Sequence, residues 1–216
     1  MSLSISHHPD DATLMAYAAA TLAEPLAAVV AAHVSLCPRC RAETADLERL
    51  GAALMLGSPR RSGEAPLEAR HRAVDPLPAL ARPRVSRDER LPAPIAAAYQ
   101  LSMEQIPWRR LGPGVWHHRL ALREADEGDL RLLRLGAGRT MPDHGHGGAE
   151  ITLVLEGSYS DVTGEYRGGD VQDVDEDIEH QPIVGKDRDC ICLIASVQPA
   201  RFKSLIGRIT QPWTRL

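Results

Sequence analysis

The stretch from Gly138 to Gly157 constrains this chain more than any other, because it carries His144, His146 and Glu150 in the spacing Gly-x5-His-x-His-x3-Glu-x6-Gly. If the flanking residues form strands, side-chain alternation puts His144, His146 and Glu150 on one parity, and the terminal glycines mark turns. His180, thirty residues beyond Glu150, can arrive from a neighbouring strand. Three imidazoles and a carboxylate suit a divalent transition metal of the zinc, iron, manganese or nickel kind. A lone His-x-His is ordinarily a pair of surface or half-buried histidines, and it is the longer frame that favours a metal.

That spacing resembles the first motif of the cupin superfamily, and Gly169 to His180 resembles the second, with the histidine at the expected offset. Where cupins usually carry a proline and a glycine in that second stretch, this sequence has Asp175 and Asp177. The resemblance implies a small double-stranded β-helix, or jelly-roll, barrel, a scaffold shared by oxygenases, isomerases, storage proteins and regulators.

The rest of the 216 residues must accommodate such a barrel. An apolar content of 44% is enough to bury a core in one domain or two small ones. The formal net charge of −4, and the nine basic and nine acidic side chains of residues 1–85, argue against nonspecific nucleic-acid binding. Four cysteines in a chain with no secretory leader pattern read as ligands or free thiols, and no apolar run reaches membrane-span length. A cytoplasmic protein is the default expectation.

The first segment reads as helical. Asp10 or Asp11 can cap a helix through Leu14, Met15, Tyr17 and Ala18, and Glu24-Pro25 opens a second that runs to Leu36. A third is expected from near Cys40, with Leu47, Leu50 and Leu54 at helical steps. Helices this short and alanine-rich bury little by themselves, so something else must hold them.

A second metal site is the candidate. His33 and Cys37 are four apart on one helix face, and Cys37-Pro38-Arg39-Cys40 is a C-x2-C turn that presents two thiolates to one ion. A closed tetrahedral zinc site needs a fourth ligand, which His7 or His8 can supply. Each residue alone has an ordinary reading as helix packing or a small buried thiol; the joint spacing favours zinc. A DNA-reading C2H2 finger is disfavoured, since the histidine precedes the cysteine pair and no His-x3-5-His follows.

His33-x3-Cys37-x2-Cys40 with an upstream histidine resembles the zinc-binding anti-sigma motif, in which the matching residue here is His8, at the head of His8-Pro9-Asp10-Asp11. The whole chain resembles the ChrR-type anti-sigma factors, including Tyr17-Ala18-Ala19, Leu36-Cys37 and His180-Gln181-Pro182-Ile183, best over residues 1 to about 56 and 95 to 200. The resemblance implies an α+β two-domain protein. A zinc-bound helical bundle occupies residues 1–85, with linker from about 58; a cupin-like barrel follows over 95–200, and a tail over 201–216. It implies two Zn2+ ions per chain, the barrel ion being zinc or another divalent metal. One is held by His8, His33, Cys37 and Cys40, the other by His144, His146, Glu150 and His180. It also implies a 1:1 complex with an extracytoplasmic-function sigma factor, released under oxidative stress by singlet oxygen or organic peroxide. Leu14, Met15, Tyr17 and Ala18 are the candidate contacts, Tyr17 equally a core residue. The alternative is a metal-dependent cupin enzyme such as a dioxygenase, against which stands the lack of a separate acid or base set.

Residues 58–94 hold seven prolines and eight arginines and read as a connection, with a short helix from Glu68 to Val74. In the family a fourth helix helps to clasp the sigma factor, and Leu67, Val74, Leu77 and Leu80 are its candidate apolar side. From about Trp108 the period shortens: Val115–Leu122, Leu130–Leu135, Ile151–Leu155 and Cys190–Val197 read as strands. His117 and His118 point to opposite faces and cannot share an ion. Cys190 and Cys192 share a face, as two buried thiols or as a redox pair near the barrel metal.

Overall fold

The computed structural model of the chain describes residues 4–57, 90–122, 128–198 and 201–202. The expected linker, its short helix and its apolar positions Leu67, Val74, Leu77 and Leu80 lie outside the described residues, as does most of the expected tail.

Helix α1 spans Asp11–Ala18, and Asp10 caps it by accepting from the Thr13 amide at 2.6 Å. Helix α2 spans Glu24–Leu36 with Pro25 in its first turn, where no amide proton is needed. Helix α3 spans Pro38–Gly57, two residues earlier than the sequence suggests, because Pro38 serves as a first-turn residue and Cys40 is already helical. A further helix, α4 (Ala93–Tyr99), follows the connection and packs on α2.

The remainder is an antiparallel β structure. A six-stranded sheet has the order β1 (Arg109–Gly112), β2 (Val115–Arg119), β3 (Asp129–Leu135), β11 (Cys190–Ser196), β5 (Glu150–Glu156) and β8 (Val171–Val174). Two three-stranded pieces complete it. One orders β10 (Ile183–Val184), β6 (Ser158–Asp161) and β7 (Gly164–Arg167); the other orders β12 (Arg201–Phe202), β4 (His144–Gly145) and β9 (Glu179–His180). Arg201–Phe202, which the sequence reading places in the tail, thus pairs with β4. Gly157 turns β5 into β6 with φ +75°, and a side chain there would meet the Asp189 carbonyl at 2.4 Å, so this position accepts only glycine.

The central strands are buried on both faces, which is why they read as nearly continuous apolar runs. Leu133, Leu135, Val154, Cys190 and Cys192 face the barrel interior with Tyr159 and Tyr166. The intervening Leu130, Leu132, Ile151, Leu153, Leu193 and Ala195 face outward, into one core with Leu26, Val29, Val30 and Ala32 of α2. The helices therefore do not depend on a metal alone, because the outer face of the sheet covers α2. Pro25 comes so near that a side chain on Gly128 would meet its ring at 3.0 Å. By contrast, α3 buries only Cys40 and Thr44, and Leu50 and Leu54, which mark its helical steps in the sequence, stand in solvent.

Candidate metal centres

The first cluster forms where α2 ends and α3 begins. Cys37 caps α2 in an extended conformation, Cys40 follows in the first turn of α3, and His33 lies one turn back. The incoming N-terminal segment supplies His8. Its Nδ1 lies 3.6 Å from Cys37 Sγ and 3.3 Å from Cys40 Sγ, while His33 Nε2 lies 3.3 Å from Cys40 Sγ. A tetrahedral zinc with bonds of roughly 2.0–2.3 Å has ligand-to-ligand edges of about 3.3–3.8 Å, so the set fits the ion. Of the two histidines left open by spacing, His8 enters the cluster, and His7 instead lies 3.6 Å from the Asp170 carboxylate. His33 Nδ1 lies 3.0 Å from the Gly169 carbonyl, which only accepts; the proton is therefore on Nδ1 and the Nε2 lone pair faces the thiols. Burial holds His33 down at about 4 against the opposing pull of that carbonyl, and burial with the neighbouring Cys37 thiol pushes Cys40 up to about 12. Metal-free, both groups are neutral at pH 7, so a bound cation must displace thiol protons.

The second cluster lies inside the barrel. Strand β4 carries His144, and β9 pairs with it so that His144 and His180 are directly opposite. Glu150 opens β5, and His146 lies in the connection between. His180 Nε2 is 3.2 Å from both His144 Nε2 and His146 Nε2, and His146 Nδ1 is 3.4 Å from Glu150 Oε2. His144 Nδ1 points at the Pro142 carbonyl at 2.9 Å and His180 Nδ1 at the Asp161 carboxylate at 2.6 Å. Both Nδ1 atoms are therefore donors, and in the neutral rings both Nε2 atoms are lone pairs facing each other. A cation between them removes that repulsion, which is the observation by which this donor set fits a metal. Burial depresses His144, whereas for His146 burial, the largest single influence, is outweighed by the hydrogen bond it donates to Glu150 together with the charges of Glu150 and Asp175, and its pKa is raised. Glu150, half-buried and facing the three histidines, is held below the usual carboxylate range: burial pushes it up, and the hydrogen bond from His146 with the charges of all three imidazoles together outweighs that.

A cavity of about 90 Å³ adjoins this cluster, lined by His144, Glu150, His180, Tyr159, Cys192 and Arg131 among others. Cys192 thus reaches the same cavity as the histidines, and its Sγ is 3.6 Å from that of Cys190. The hydrogen bond between them and burial push the Cys192 thiol well up, so Cys192 is a neutral thiol. His117 and His118 lie in β2, away from either cluster. Of the four residues expected at a partner surface, Leu14 is 1% exposed and belongs to the core, Tyr17 and Ala18 are half-buried, and Met15 is 57% exposed.

Sequence reasoning missed the groups that orient these ligands. Asp161, the last residue of β6, fixes His180; the Gly169 carbonyl fixes His33; Asp170 accepts from the Ser6 and His7 amides at 2.7 and 3.0 Å. Nothing in the spacing marks them, since each acts across a fold-dependent distance. Asp175, which stands where cupins usually differ, closes the turn before His180 by accepting from the Asp177 amide at 3.0 Å.

A helical Cys2His2 cluster seated on a barrel with its own His3Glu cluster defines a bipartite protein with two possible metal sites on a cupin-like frame. Residues 97–200 match the ChrR cupin-like domain family. The chain is 39% identical over 215 residues to the anti-sigma-E factor ChrR of Cereibacter sphaeroides, covering 99% of this chain and 100% of that protein. It also matches a solved structure described as Rhodobacter sphaeroides SigE in complex with the anti-sigma ChrR. That match has a TM-score of 0.74 and 39% identity, covering 89% of this chain and 99% of the other. The chain belongs to the ChrR family of anti-sigma factors, and is a regulator rather than an enzyme. Among the described residues, no helix is long and apolar enough to cross a membrane.

Proposed function

We propose that this chain is a cytoplasmic anti-sigma factor that binds an extracytoplasmic-function sigma factor 1:1 through its helical region, organised by zinc on His8, His33, Cys37 and Cys40. The reading rests on family membership and on one feature of this structure. The last turns of α3 expose Leu50, Leu54, Met55 and Leu56, at 57%, 64%, 82% and 83%, and α1, which packs on α3, adds Met15. Large apolar side chains grouped on one helix end mark a surface that a partner covers. Of the other α1 candidates, Leu14 belongs to the core and Tyr17 and Ala18 are half-buried. The boundaries that go with this reading are a helical unit over 1–85, a barrel over 95–200 and a tail from 201.

Release in response to singlet oxygen or organic peroxide belongs to the barrel in this reading. The His144, His146, Glu150 and His180 set holds a divalent ion, zinc or a redox-active alternative, beside a cavity that small molecules can enter. Such an ion supplies an electrophilic centre; the chain holds His144 and His180 by their Nδ1 protons and presents Cys192 at the cavity wall. Cys190 and Cys192 are the candidate redox pair. The test co-purifies the chain with its cognate sigma factor and follows a reporter promoter. The Met55→Asp and Leu54→Asp variants are expected to fold and lose the complex; His144→Ala and Cys192→Ser are expected to keep repression and lose oxidant response. Full binding by both aspartate variants overturns the α3 surface, and a normal oxidant response in His144→Ala overturns the sensor.

A further inference from the structure

One short segment of the barrel touches both metal clusters. From Gly169 to Gln172 the chain leaves a turn and enters β8, and its successive groups bond to residues beside one cluster and then the other. The Gly169 carbonyl, presented by a backbone at φ +96° that favours glycine, accepts from His33 Nδ1 at 3.0 Å. Asp170 is 1% exposed, and its Oδ1 accepts from the Ser6 and His7 amides. The Val171 amide donates to the His7 carbonyl at 3.1 Å, so both backbone groups of the residue preceding His8 are tied to this segment. Two of the four ligands in the helical cluster are thereby placed by barrel residues.

The same segment reaches the other cluster one residue later. Gln172, 2% exposed, donates from Nε2 to Asp161 Oδ2 at 2.8 Å and accepts from Tyr159 Oη at 2.8 Å. Asp161 Oδ2 is the atom that accepts from His180 Nδ1. Groups that hold the outer nitrogen of a ligating histidine set its orientation and basicity, and their loss typically lowers metal affinity by about 10–100-fold. Here four consecutive residues reach both ligand sets: Gly169 holds the outer nitrogen of His33, Asp170 and Val171 hold the backbone of His7 just before His8, and Gln172 holds the Asp161 carboxylate that in turn holds His180. A buried strand does not flex independently at positions so close, so a change in one ligand set is felt by the other.

We infer that Gly169–Gln172 is a shared outer coordination shell, with Asp170 and Gln172 as positioning residues, through which occupancy of the barrel site raises the metal affinity of the helical site. Linkage makes the effect reciprocal: metal in the helical site equally favours the barrel site. The inference rests on the reading of both clusters as metal sites, and it gives the barrel a physical route to the region that holds the partner.

Cobalt(II) separates the two sites, because only the helical one has thiolates and hence sulfur-to-cobalt charge-transfer absorption. Full-length protein is titrated against a competing chelator, and affinity is read from that band. With the barrel loaded, as in the native chain, helical-site affinity is expected to exceed that of the His146→Ala chain by about fivefold or more. In a Gln172→Ala background the ratio is expected to fall towards one, with Gln172→Asn repeating the arm if the alanine variant does not fold. Asp170→Asn, which keeps the shape and removes one acceptor, lowers helical-site affinity by about tenfold. A ratio of one between the native and His146→Ala chains overturns the coupling, as does a ratio undiminished by either Gln172 substitution. Absence of the thiolate band in the native chain overturns instead the metal reading of the helical cluster, and the two failures are thus distinct.

Discussion

The two clusters are built from opposite materials. The helical one joins two thiols and two imidazoles from the N-terminal segment and the α2–α3 junction, with His33, Cys37 and Cys40 each at 2% exposure or less. The barrel one joins three imidazoles and a carboxylate and adjoins a cavity. Soft ligands in a closed shell make a structural staple, whereas nitrogen and oxygen ligands beside open space leave room for an exogenous group. The difference predicts that the first site is read out as folding and the second as sensitivity.

The largest contrast is between Cys37→Ser and His144→Ala. Structural zinc contributes about 10 kcal/mol or more of apparent folding free energy in small modules, so Cys37→Ser is expected to abolish the helical fold around α1 and α3. His144→Ala is expected to lose one of about two bound ions and keep its helices. Elemental analysis with far-ultraviolet circular dichroism checks both, and equal helix loss in the two variants breaks the contrast.

Acidity comes next. In the metal-free chain His33 has its pKa lowered to about 4 from 6.5, so the unfolded state binds the extra proton first. The associated stability is complete above about 6.5 and is lost as pH falls towards 4, on the order of 3 kcal/mol. Cys40, raised to about 12 from 9.0, acts at the other end: its contribution is present below about 9 and is lost as pH rises towards 12. Urea denaturation in chelator across this range measures both; a flat profile between pH 4 and 6.5 contradicts the buried neutral imidazole.

A smaller effect is expected from Asp161→Asn, which removes the charge behind His180 and lowers barrel metal affinity by about 10–100-fold while the thiolate site keeps its ion. Smallest is Met55→Asp, at an exposed position, which is expected to change stability by no more than about 0.5 kcal/mol by thermal melting.

What the sequence displayed and what it hid divide along the same line. Ligands at short spacing, such as Cys37-x2-Cys40 and His144-x-His146, are legible because local geometry dictates which side chains converge. The strand runs of β3, β5 and β11 are legible too, but their continuous apolar character reads equally as a half-covered sheet, and only the docking of α2 explains it. Leu14 and Leu50 show the limit: both fit an amphipathic helix, yet the first is in the core and the second in water, because burial is decided by neighbours remote in sequence. Asp161 and Asp170 were invisible for that reason, each looking like an ordinary turn carboxylate.

The docking of α2 on β11 also sets an order of events during synthesis. The helix leaves the ribosome about 150 residues before the strand that covers it, so Leu26, Val29 and Val30 wait uncovered while the barrel is made. Contacts of such sequence separation close late and slowly, and the nascent helices stay open to whatever apolar surface arrives first. A chain stalled or cleaved before Cys190 lacks the strand that joins β3 to β5 beneath α2, making the last long strand the step that commits the first helices to their native place.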